Sequence, residues 1–207
     1  MIEKCRDRMN SIGLHAKEAS GVWFGVACDE KTVYATSFAS SRERLLKSLR
    51  ESTPSRLSAE HSSSTSNLAQ RVLASLEDIY YAREHSDDFP LDYGRLSVYT
   101  RRVIEAVSKV PLGYVTSYGL VAEAVGGAPI AVGQVMAKNP FAPICPCHRV
   151  VASDFTLHGY GGGLDAKLAF LKREKKGYTS ERDVDVGGRK LHMFPVERVL
   201  EKHRGKA

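Results

Sequence analysis

Cysteine is scarce in this chain of 207 residues, which contains four, at Cys5, Cys28, Cys145 and Cys147. Thiols so few and so scattered exclude a secreted scaffold held together by disulfides. The chain also lacks an apolar run of the roughly 20 residues that a membrane-spanning helix needs, and its polar first residues lack the apolar core of a signal peptide. We therefore expect a cytoplasmic protein with free thiols and no contact with a membrane.

Acidic residues are also in the minority. Aspartate and glutamate number 24 against 30 lysines and arginines, which leaves a formal net charge of +6 and a pI near 9.1. This balance favours an anionic partner, although it serves solubility equally well. The apolar share of 43% is sufficient for a packed core, in either one large domain or two small ones.

The first third of the sequence predicts a small sheet with helices packed on it. Residues 22–27 and 32–38 are β-branched and aromatic and flank a turn-like segment, so they predict a hairpin. Ser41 precedes an apolar stripe with helical spacing, and the same spacing returns over residues 68–79. The serine- and threonine-rich residues 52–66 between these two helices predict a loop. Nothing in this part of the chain identifies a catalytic group.

A second region begins after Pro90, which disfavours helix at the residue before it. From Ser97 the apolar spacing predicts a basic amphipathic helix. Another helix begins near Ser117, a glycine pair turns the chain, and Pro129 opens a third helix, which is the spacing of a helix-turn-helix. Ordinary helical hairpins of a globular core show the same pattern, so both interpretations stay open at this point.

The last part of the chain combines a glycine-rich loop, a helix and a tail. Residues 159–163 contain four glycines and predict either a flexible lid over a ligand or an ordinary loop before the helix at 165–174. The tail from Tyr178 predicts a hairpin that turns at a second glycine pair, followed by a short basic helix over 196–203. We assign no chemistry to this tail. The domain boundaries that we predict are 1–91, 92–178 and, for a C-terminal extension, 179–207.

The most informative segment is the run Pro146-Cys147-His148-Arg149-Val150, which sets a cysteine beside an imidazole and a guanidinium. The thiolate is the nucleophilic form of cysteine, and its pKa, about 8.5 in isolation, falls beside cationic or imidazole groups. Cys147 is therefore the first candidate nucleophile, and we expect its pKa to be lowered. We interpret Arg149 as a structural ion-pair residue.

Cys145, two residues before the candidate nucleophile, is interpreted as a small buried hydrophobe. The alternative is a redox or metal pair with Cys147, which requires further ligands because zinc takes about four. The other candidate ligands, which show no regular spacing, are Cys5, Cys28, His15 and His85. We therefore predict no metal.

Several anchors, taken in order, resemble the O6-alkylguanine-DNA alkyltransferases. They are Tyr118, Asn139-Pro140, the run 146–150, residues 160–164 and Glu174. The resemblance covers roughly residues 100–177, thins over the first 90 residues and does not reach the tail. It implies an α/β (α+β) fold, with a small N-terminal sheet-plus-helix domain like ribonuclease H. A mainly helical, winged-helix-like domain with a helix-turn-helix would follow.

The resemblance implies a DNA-repair reaction in which an alkyl group moves from a guanine oxygen to a cysteine by SN2 displacement. Cys147 would be the acceptor, and His148 would pass its proton through a water toward Glu174, whose charge favours the imidazolium. Tyr118 would donate a proton or hydrogen bond to the departing guanine. Asn139 would hold the turn that carries Cys147. Because a thioether is permanent, each molecule would act once and would need no cofactor.

The resemblance also implies how the damaged base is recognised. The base must leave the helical stack before its oxygen can reach a buried thiol. The carbonyls of Cys145 and Val150 would then accept from the exocyclic amine of guanine, and the Gly161 amide would meet the guanine oxygen. Met136 and Tyr160 would form the walls of the pocket.

The implied partner is double-stranded DNA that contains O6-alkylguanine, bound through the minor groove by a monomer. The second helix of the helix-turn-helix would enter that groove, and in a prokaryote the protein would be associated with the nucleoid. The residues that the resemblance places at the DNA are Thr100, Thr116, Ser117, Ile130, Ala131, Gly133, Gln134, Lys138 and Ser153.

One position departs from the family pattern. The family carries an arginine just before the position of Ala131, and that side chain fills the gap left by the flipped base. Here the position is Ile130. An apolar wedge can also unstack a base step. Alternatively, another residue substitutes because the preceding turn is shorter.

Three functions from different classes stay open on the sequence. The first is single-turnover alkyl transfer to Cys147. The second is a protein that binds alkylguanine lesions without transfer and signals to other repair machinery. The third is a turnover hydrolase built on Cys147, His148 and Glu174, which leaves Tyr118 and the helix-turn-helix unexplained.

Overall fold

The computed structural model describes residues 11–55, 57–61, 65–84 and 88–204. The chain divides into two compact units. The first ends at Arg95 and also contains Pro140–Ile144, and the second comprises Leu96–Asn139 and the residues from Cys145 onward. The three-part division of the chain after residues 91 and 178 stays a prediction.

The first unit contains a four-stranded sheet. Its strands are β1 (Ser11–Ala19), β2 (Val22–Cys28), β3 (Val33–Ala39) and β4 (Ser58–His61). They follow the order β3-β2-β1-β4, with β1 antiparallel to β2, β2 antiparallel to β3 and β1 parallel to β4. The predicted hairpin is confirmed as β2 and β3. The loop predicted over residues 52–66 is wrong where β4 lies, because a short polar edge strand carries no alternating apolar pattern.

Two helices cover the faces of this sheet, α1 (Arg42–Ser52) and α2 (Asn67–Tyr80). Each begins at a serine whose side chain accepts from a backbone N–H of the first turn. Alternate residues of β2 point to opposite faces of the sheet. Phe24 and Val26 therefore pack in the core cluster with α2, whereas Ala27 packs with α1.

The second unit begins with three helices and a short strand. They are α3 (Val98–Ser108), β5 (Tyr114–Ser117), α4 (Tyr118–Val125) and α5 (Pro129–Ala137). The axes of α4 and α5 differ in direction by 103°, within the range of helix-turn-helix pairs. Gly127 in the turn has φ +141°, and a Cβ there would lie 2.6 Å from the Tyr99 hydroxyl, so the turn requires glycine. In the described ranges no single helix could span a membrane by length and hydropathy, although the bent pair α4 and α5 together passes that test.

The remaining strands join β5 in a second four-stranded sheet, and two further helices belong to this part of the chain. They are β6 (Val150–Val151), α6 (Leu164–Arg173), β7 (Arg182–Val186), β8 (Arg189–Pro195) and α7 (Glu197–Lys202). The strand order is β6-β5-β8-β7, and β5 is parallel to β6 and antiparallel to β8. The predicted tail hairpin and helix are therefore present. The tail also completes the sheet of the second unit.

The tail contributes to the hydrophobic core of this unit. Val196 and Val199 belong to one buried cluster with Val115 of β5 and Val151 of β6. Leu191 of β8 is also fully buried. The Thr116 hydroxyl donates to the His192 carbonyl at 2.8 Å, which links β5 to β8 through a side chain as well.

We expect Leu191→Ala to lower the free energy of unfolding by about 2–5 kcal/mol, because it opens a cavity in a fully buried position. Lys190→Ala is the matched control. Its side chain is exposed and its ion pair with Asp183 is a surface contact, so the expected change is below about 1 kcal/mol. Urea unfolding followed by far-ultraviolet circular dichroism measures both. Equal losses would contradict a structural role for the tail.

Candidate active site

Cys147 opens a single turn of 3₁₀ helix that runs to Arg149 and leads directly into β6. The turn is closed by two hydrogen bonds to the Cys145 carbonyl. The Cys147 backbone N–H donates to it at 2.8 Å, and the Asn139 side-chain amide donates at 3.0 Å. Asn139 therefore lies where the sequence interpretation placed it, against the turn that carries the candidate nucleophile.

The Glu174 carboxylate, at the C-terminal end of α6, binds two neighbours of the nucleophile. His148 Nε2 lies 2.8 Å from Oε1, and the Arg149 guanidinium donates through Nε at 3.0 and 3.1 Å and through Nη2 at 2.8 Å. Arg149 also donates through Nη1 to the Val110 carbonyl at 2.7 Å. His148 and Glu174 are fully buried. Arg149 makes the predicted structural ion pair.

Burial and the charges in this cluster together determine the protonation state of His148. Burial acts to raise the pKa of Glu174, but the Arg149 charge, the hydrogen bonds from His148 and Arg149 and, whenever His148 is protonated, its charge bring that pKa down to about 2. Burial lowers the pKa of His148 below its ordinary value, against the opposing charge of Glu174. The Glu174 charge favours the imidazolium, as expected, but desolvation exceeds that effect, so His148 is neutral in the resting site.

The neutral imidazole has one defined arrangement of its hydrogen. An ionised Glu174 can only accept, so His148 Nε2 must carry the hydrogen that it shares with that carboxylate. His148 Nδ1 then bears a free lone pair. This atom is buried, and the described residues offer it no hydrogen-bond partner. The arrangement provides a base beside Cys147.

The pKa of Cys147 is shifted in the direction opposite to the one that the sequence suggested. Burial raises the pKa of its thiol, while the Asn139 hydrogen bond and the Lys167 charge act to lower it. The prediction of a lowered pKa is wrong because neighbouring cations were considered without the loss of hydration. The thiol must lose its proton during the reaction, so a base is required.

Tyr118 begins α4, directly after the capping Ser117. Its hydroxyl lies 3.5 Å from the His158 carbonyl. Burial, with a smaller effect of negative charge on Cys147, raises the pKa of Tyr118 to about 12. The phenol therefore keeps its proton at neutral pH and can donate it.

Lys167 is a charged residue of this site that the sequence interpretation missed. Its side chain is fully buried on α6, and Nζ donates to the carbonyls of Val150 at 2.8 Å and His158 at 2.7 Å. The signal was present in the sequence, because Lys167 lies three and four residues before Phe170 and Leu171, on the apolar face of the helix.

The predicted pocket residues are only partly placed as expected. Cys145 is fully buried, as predicted for a small hydrophobe, but its carbonyl already accepts the two hydrogen bonds of the turn. Both lone pairs are used, so the expectation that it accepts from a guanine amine is wrong. The Val150 carbonyl accepts from Lys167 and keeps a second lone pair.

The two residues that were predicted to form the walls of the pocket lie on separate elements. Met136 is buried on α5, and the Tyr160 ring lies edge-on to Phe170, which itself stacks on His148. A Cβ at Gly162 would lie 3.1 Å from Tyr160 Cε1, so a larger residue there would require this ring to shift by a few tenths of an ångström. Gly161 is exposed on the same loop.

The residues predicted to contact DNA divide into an accessible and a buried group. The accessible or partly accessible group contains Thr100, Ile130, Ala131, Gly133, Gln134, Lys138 and Ser153. Thr116 is fully buried and donates to His192, and Ser117 is buried with its hydroxyl capping α4. The prediction that the side chains of Thr116 and Ser117 contact DNA is therefore wrong, because both hydroxyls form hydrogen bonds inside the protein. Ile130 is 77% exposed, on the first turn of α5.

The candidate metal ligands do not meet in the part of the chain that the structure describes. No group of three or more histidine, cysteine or acidic side chains there could hold a metal ion. Burial raises the pKa of Cys28 to about 11, which disfavours the thiolate that a metal would bind. Cys5 and His85 lie outside the described residues.

Comparison with known proteins gives a match over the part of the chain that contains the candidate active site. Residues 98–176 match the family described as 6-O-methylguanine DNA methyltransferase, DNA binding domain. A methylated-DNA–protein-cysteine methyltransferase of Pyrobaculum aerophilum is 54% identical over 65 residues, which are 31% of this chain and 44% of the relative. The relative of the same name from Mycolicibacterium paratuberculosis is 44% identical over 100 residues, or 47% of this chain and 60% of the relative. The chain thus matches about half the length of these curated relatives.

A solved structure extends the similarity to the first unit. The O6-methylguanine-DNA methyltransferase of the hyperthermophilic archaeon Pyrococcus kodakaraensis strain KOD1 superposes with a TM-score of 0.61 at 25% sequence identity. The superposition covers 79% of this chain and 98% of that protein. The mixed α/β fold, with an N-terminal sheet domain before a helical domain, is therefore confirmed. Together with the match over residues 98–176, it shows that the chain is similar in sequence and in fold to the O6-methylguanine-DNA methyltransferases.

Proposed function

We propose that the protein repairs DNA by moving an alkyl group from the O6 atom of guanine to the sulfur of Cys147, once per molecule. The observation that carries the proposal is that Cys147, His148 and Glu174 are all buried, and that an ionised carboxylate orients a neutral imidazole on the residue that directly follows the buried thiol. The relatives named above carry the name of this activity, and residues 98–176 match the DNA-binding domain of that family.

The thiol proton goes to His148 in the proposed reaction. Cys147 is held as a thiol by burial, and His148 Nδ1 is the lone pair able to accept its proton, through a water. The imidazolium that forms is stabilised by Glu174 at 2.8 Å. The sulfur then forms a bond to the alkyl carbon as the bond from that carbon to the guanine oxygen breaks.

Tyr118 acts on the departing base. Guanine leaves with a developing negative charge, which a phenol that keeps its proton at neutral pH can neutralise by donation. The proton held by His148 returns to Tyr118 through solvent, so no net proton is gained or lost. The product is a thioether, which does not hydrolyse, and the protein is consumed.

Access to the thiol requires the base to be turned out of the duplex, because Cys147 is buried. The face of α5 suits a close approach to the minor groove. Ala131 and Gly133 are small, and no atom lies within 4 Å of a Cβ built at Gly133. Ile130 extends from the same helix as an exposed apolar side chain. Such a side chain can act as a wedge between base steps.

The decisive experiment is incubation with a duplex that contains one O6-methylguanine, followed by peptide mapping. We expect one methyl group per protein molecule on Cys147, loss of the lesion in equal amount and no second turnover. Cys147→Ser should form no adduct, whereas Cys145→Ser should still form it if it folds. Continued turnover on esters or amides would favour the hydrolase. Lesion binding without an adduct would favour a protein that only signals damage.

Replacing the buried carboxylate tests the cluster itself. We expect Glu174→Gln to lower the free energy of unfolding at pH 7 by about 3–5 kcal/mol, because it leaves Arg149 buried without its anion. The pKa of Glu174 is about 2 in the folded protein and ordinarily near 4.5, so its contribution is complete above pH 4.5 and is lost as the pH falls toward 2. The difference in the free energy of unfolding between Glu174→Gln and wild type, measured by urea titrations, should therefore become smaller as the pH falls from 4.5 toward 2.

Glu105→Gln is the control for this measurement. Glu105 makes an exposed ion pair with Arg101, so Glu105→Gln should lower the free energy of unfolding by less than about 1 kcal/mol. Its difference from wild type should not become smaller below pH 4.5. A Glu174→Gln protein as stable as this control would remove the basis for an oriented, neutral His148.

The position of Ile130 offers a test of base flipping. We expect Ile130→Arg to tighten binding to lesion-containing duplex by about tenfold relative to undamaged duplex, because a guanidinium can hydrogen-bond the base left without its partner. Val98→Arg adds the same charge at another exposed apolar position and should strengthen binding to both duplexes alike. Fluorescence anisotropy at fixed salt measures both. An equal gain for the two variants would argue against Ile130 as the residue beside the flipped base.

A further inference from the structure

Lys167 is a buried cation whose position the proposed chemistry does not yet explain. Its side chain is fully buried, which is rare for lysine because an ammonium loses its hydration on burial. Glu174, the buried carboxylate of the site, makes its ion pair with Arg149 and a hydrogen bond with His148 instead. No ion pair joins Lys167 to a carboxylate among the described residues. A cation kept in this setting needs a reason beyond packing.

The hydrogen bonds of Lys167 join two separate segments of the site. One goes to the Val150 carbonyl at 2.8 Å, directly after the turn that carries Cys147. The other goes to the His158 carbonyl at 2.7 Å, in the loop just before the glycine-rich residues 159–163. Both acceptors are thereby tied to one atom on the rigid helix α6.

Tyr118 lies at the same junction. Its hydroxyl approaches the His158 carbonyl at 3.5 Å, and Lys167 Nζ lies 5.7 Å from the centre of its ring. The three parts that must act together on one guanine are the sulfur-bearing turn, the loop and the phenol. All three therefore contact Lys167 or its hydrogen-bond partner.

Lys167 also affects the charge of the nucleophile. Burial raises the pKa of Cys147, and the Lys167 charge is among the influences that lower it. Cys147 in turn affects Lys167. Burial lowers the pKa of Lys167 to about 8, while negative charge on Cys147 raises it. Since His148 is neutral in the resting site, it supplies no positive charge to the sulfur before proton transfer.

We propose that Lys167 is a positioning residue for alkyl transfer, whose buried ammonium fixes the Val150 and His158 carbonyls and stabilises the Cys147 thiolate. The transfer step rests on the function proposed above, whereas the effect on the thiol does not. Lys167 does not touch the reacting atoms. It acts through the carbonyls that it binds and through its charge.

The titratable and charged side chains of the site around Cys147 come from several elements. Those with a titratable or charged side chain are Cys145, His148 and Arg149 beside the turn, Tyr118 on α4, Tyr160 in the glycine-rich loop, and Lys167 and Glu174 on α6. The test therefore changes Lys167 alone and leaves the other six groups intact.

Carbamidomethylation of Cys147 by iodoacetamide, measured against pH by peptide mapping, tests the charge without DNA. We expect Lys167→Met to move the rise in reactivity to higher pH by about one unit, so that the rate at pH 8 falls about tenfold. Lys167→Arg retains a cation and should stay closer to wild type. Lys172→Met, on the exposed side of the same helix, is the control and should leave the profile unchanged.

Transfer from an O6-methylguanine duplex tests the positioning. For both Lys167→Met and Lys167→Arg we expect the methyl-transfer rate to fall about tenfold or more, since a planar guanidinium cannot repeat the two bonds made by one ammonium. Affinity for undamaged duplex should stay that of wild type. If the Met variant does not fold by circular dichroism, Lys167→Gln replaces it and should show the same shift with iodoacetamide.

Two results keep this inference separate from the proposed function. Reactivity and transfer equal to those of Lys172→Met would overturn the role of Lys167, whatever the wild type does to DNA. If the wild type takes no methyl from DNA but the iodoacetamide profile still depends on Lys167, the proposed function fails. The inference about the thiol then stands.

Discussion

The buried carboxylate of Glu174 is the interaction on which the site depends. It lies at the end of α6 and accepts a hydrogen bond from Nε2 of His148 and three hydrogen bonds from two nitrogens of Arg149. Arg149 continues to the Val110 carbonyl, so one anion connects the nucleophilic turn to the residues that follow α3. Breaking such a pair leaves an uncompensated buried charge. The orientation of the imidazole is therefore maintained by the same contacts that stabilise the fold of this unit.

Burial decides the chemistry of the nucleophile. A cysteine exposed beside an arginine and a histidine would ionise readily, but loss of hydration at Cys147 outweighs those neighbours. A thiol that stays protonated at rest reacts only when a general base takes its proton, and in the proposed reaction His148 is that base. Burial also restricts what can reach the sulfur. In the proposed reaction a guanine must be turned out of its duplex before its alkyl group can reach Cys147.

Local signals in the sequence were sufficient for most elements of the fold. Ser41, Ser97 and Ser117 each mark the first turn of a helix, and the hairpin of β2 and β3 follows from its alternating residues. Pairings between distant segments were not predictable in this way. The parallel partner of β1 and the antiparallel contact of β5 with β8 depend on tertiary packing, which no short window of sequence contains.

The candidate site shows the same division between local and distant information. The run 146–150 was enough to select Cys147, His148 and Arg149, and the spacing of Glu174 agreed with the family. The predicted direction of the pKa shift was wrong for Cys147, because it depends on burial by residues far away in the sequence, and burial likewise outweighs the predicted effect of Glu174 on His148. The role of the Cys145 carbonyl was also wrong, since only the folded turn shows that both of its lone pairs are used.

The C-terminal hairpin connects the fold to the chemistry through β5. That strand lies between β6, which continues from the nucleophilic turn, and β8 of the tail. It ends at Ser117, whose hydroxyl caps α4, so the next residue, Tyr118, takes its place from the end of the strand. The distance between the phenol and the sulfur is therefore set within one sheet, by the register of β5 with β6. Because β8 pairs with the other edge of β5, the tail holds this strand in that register.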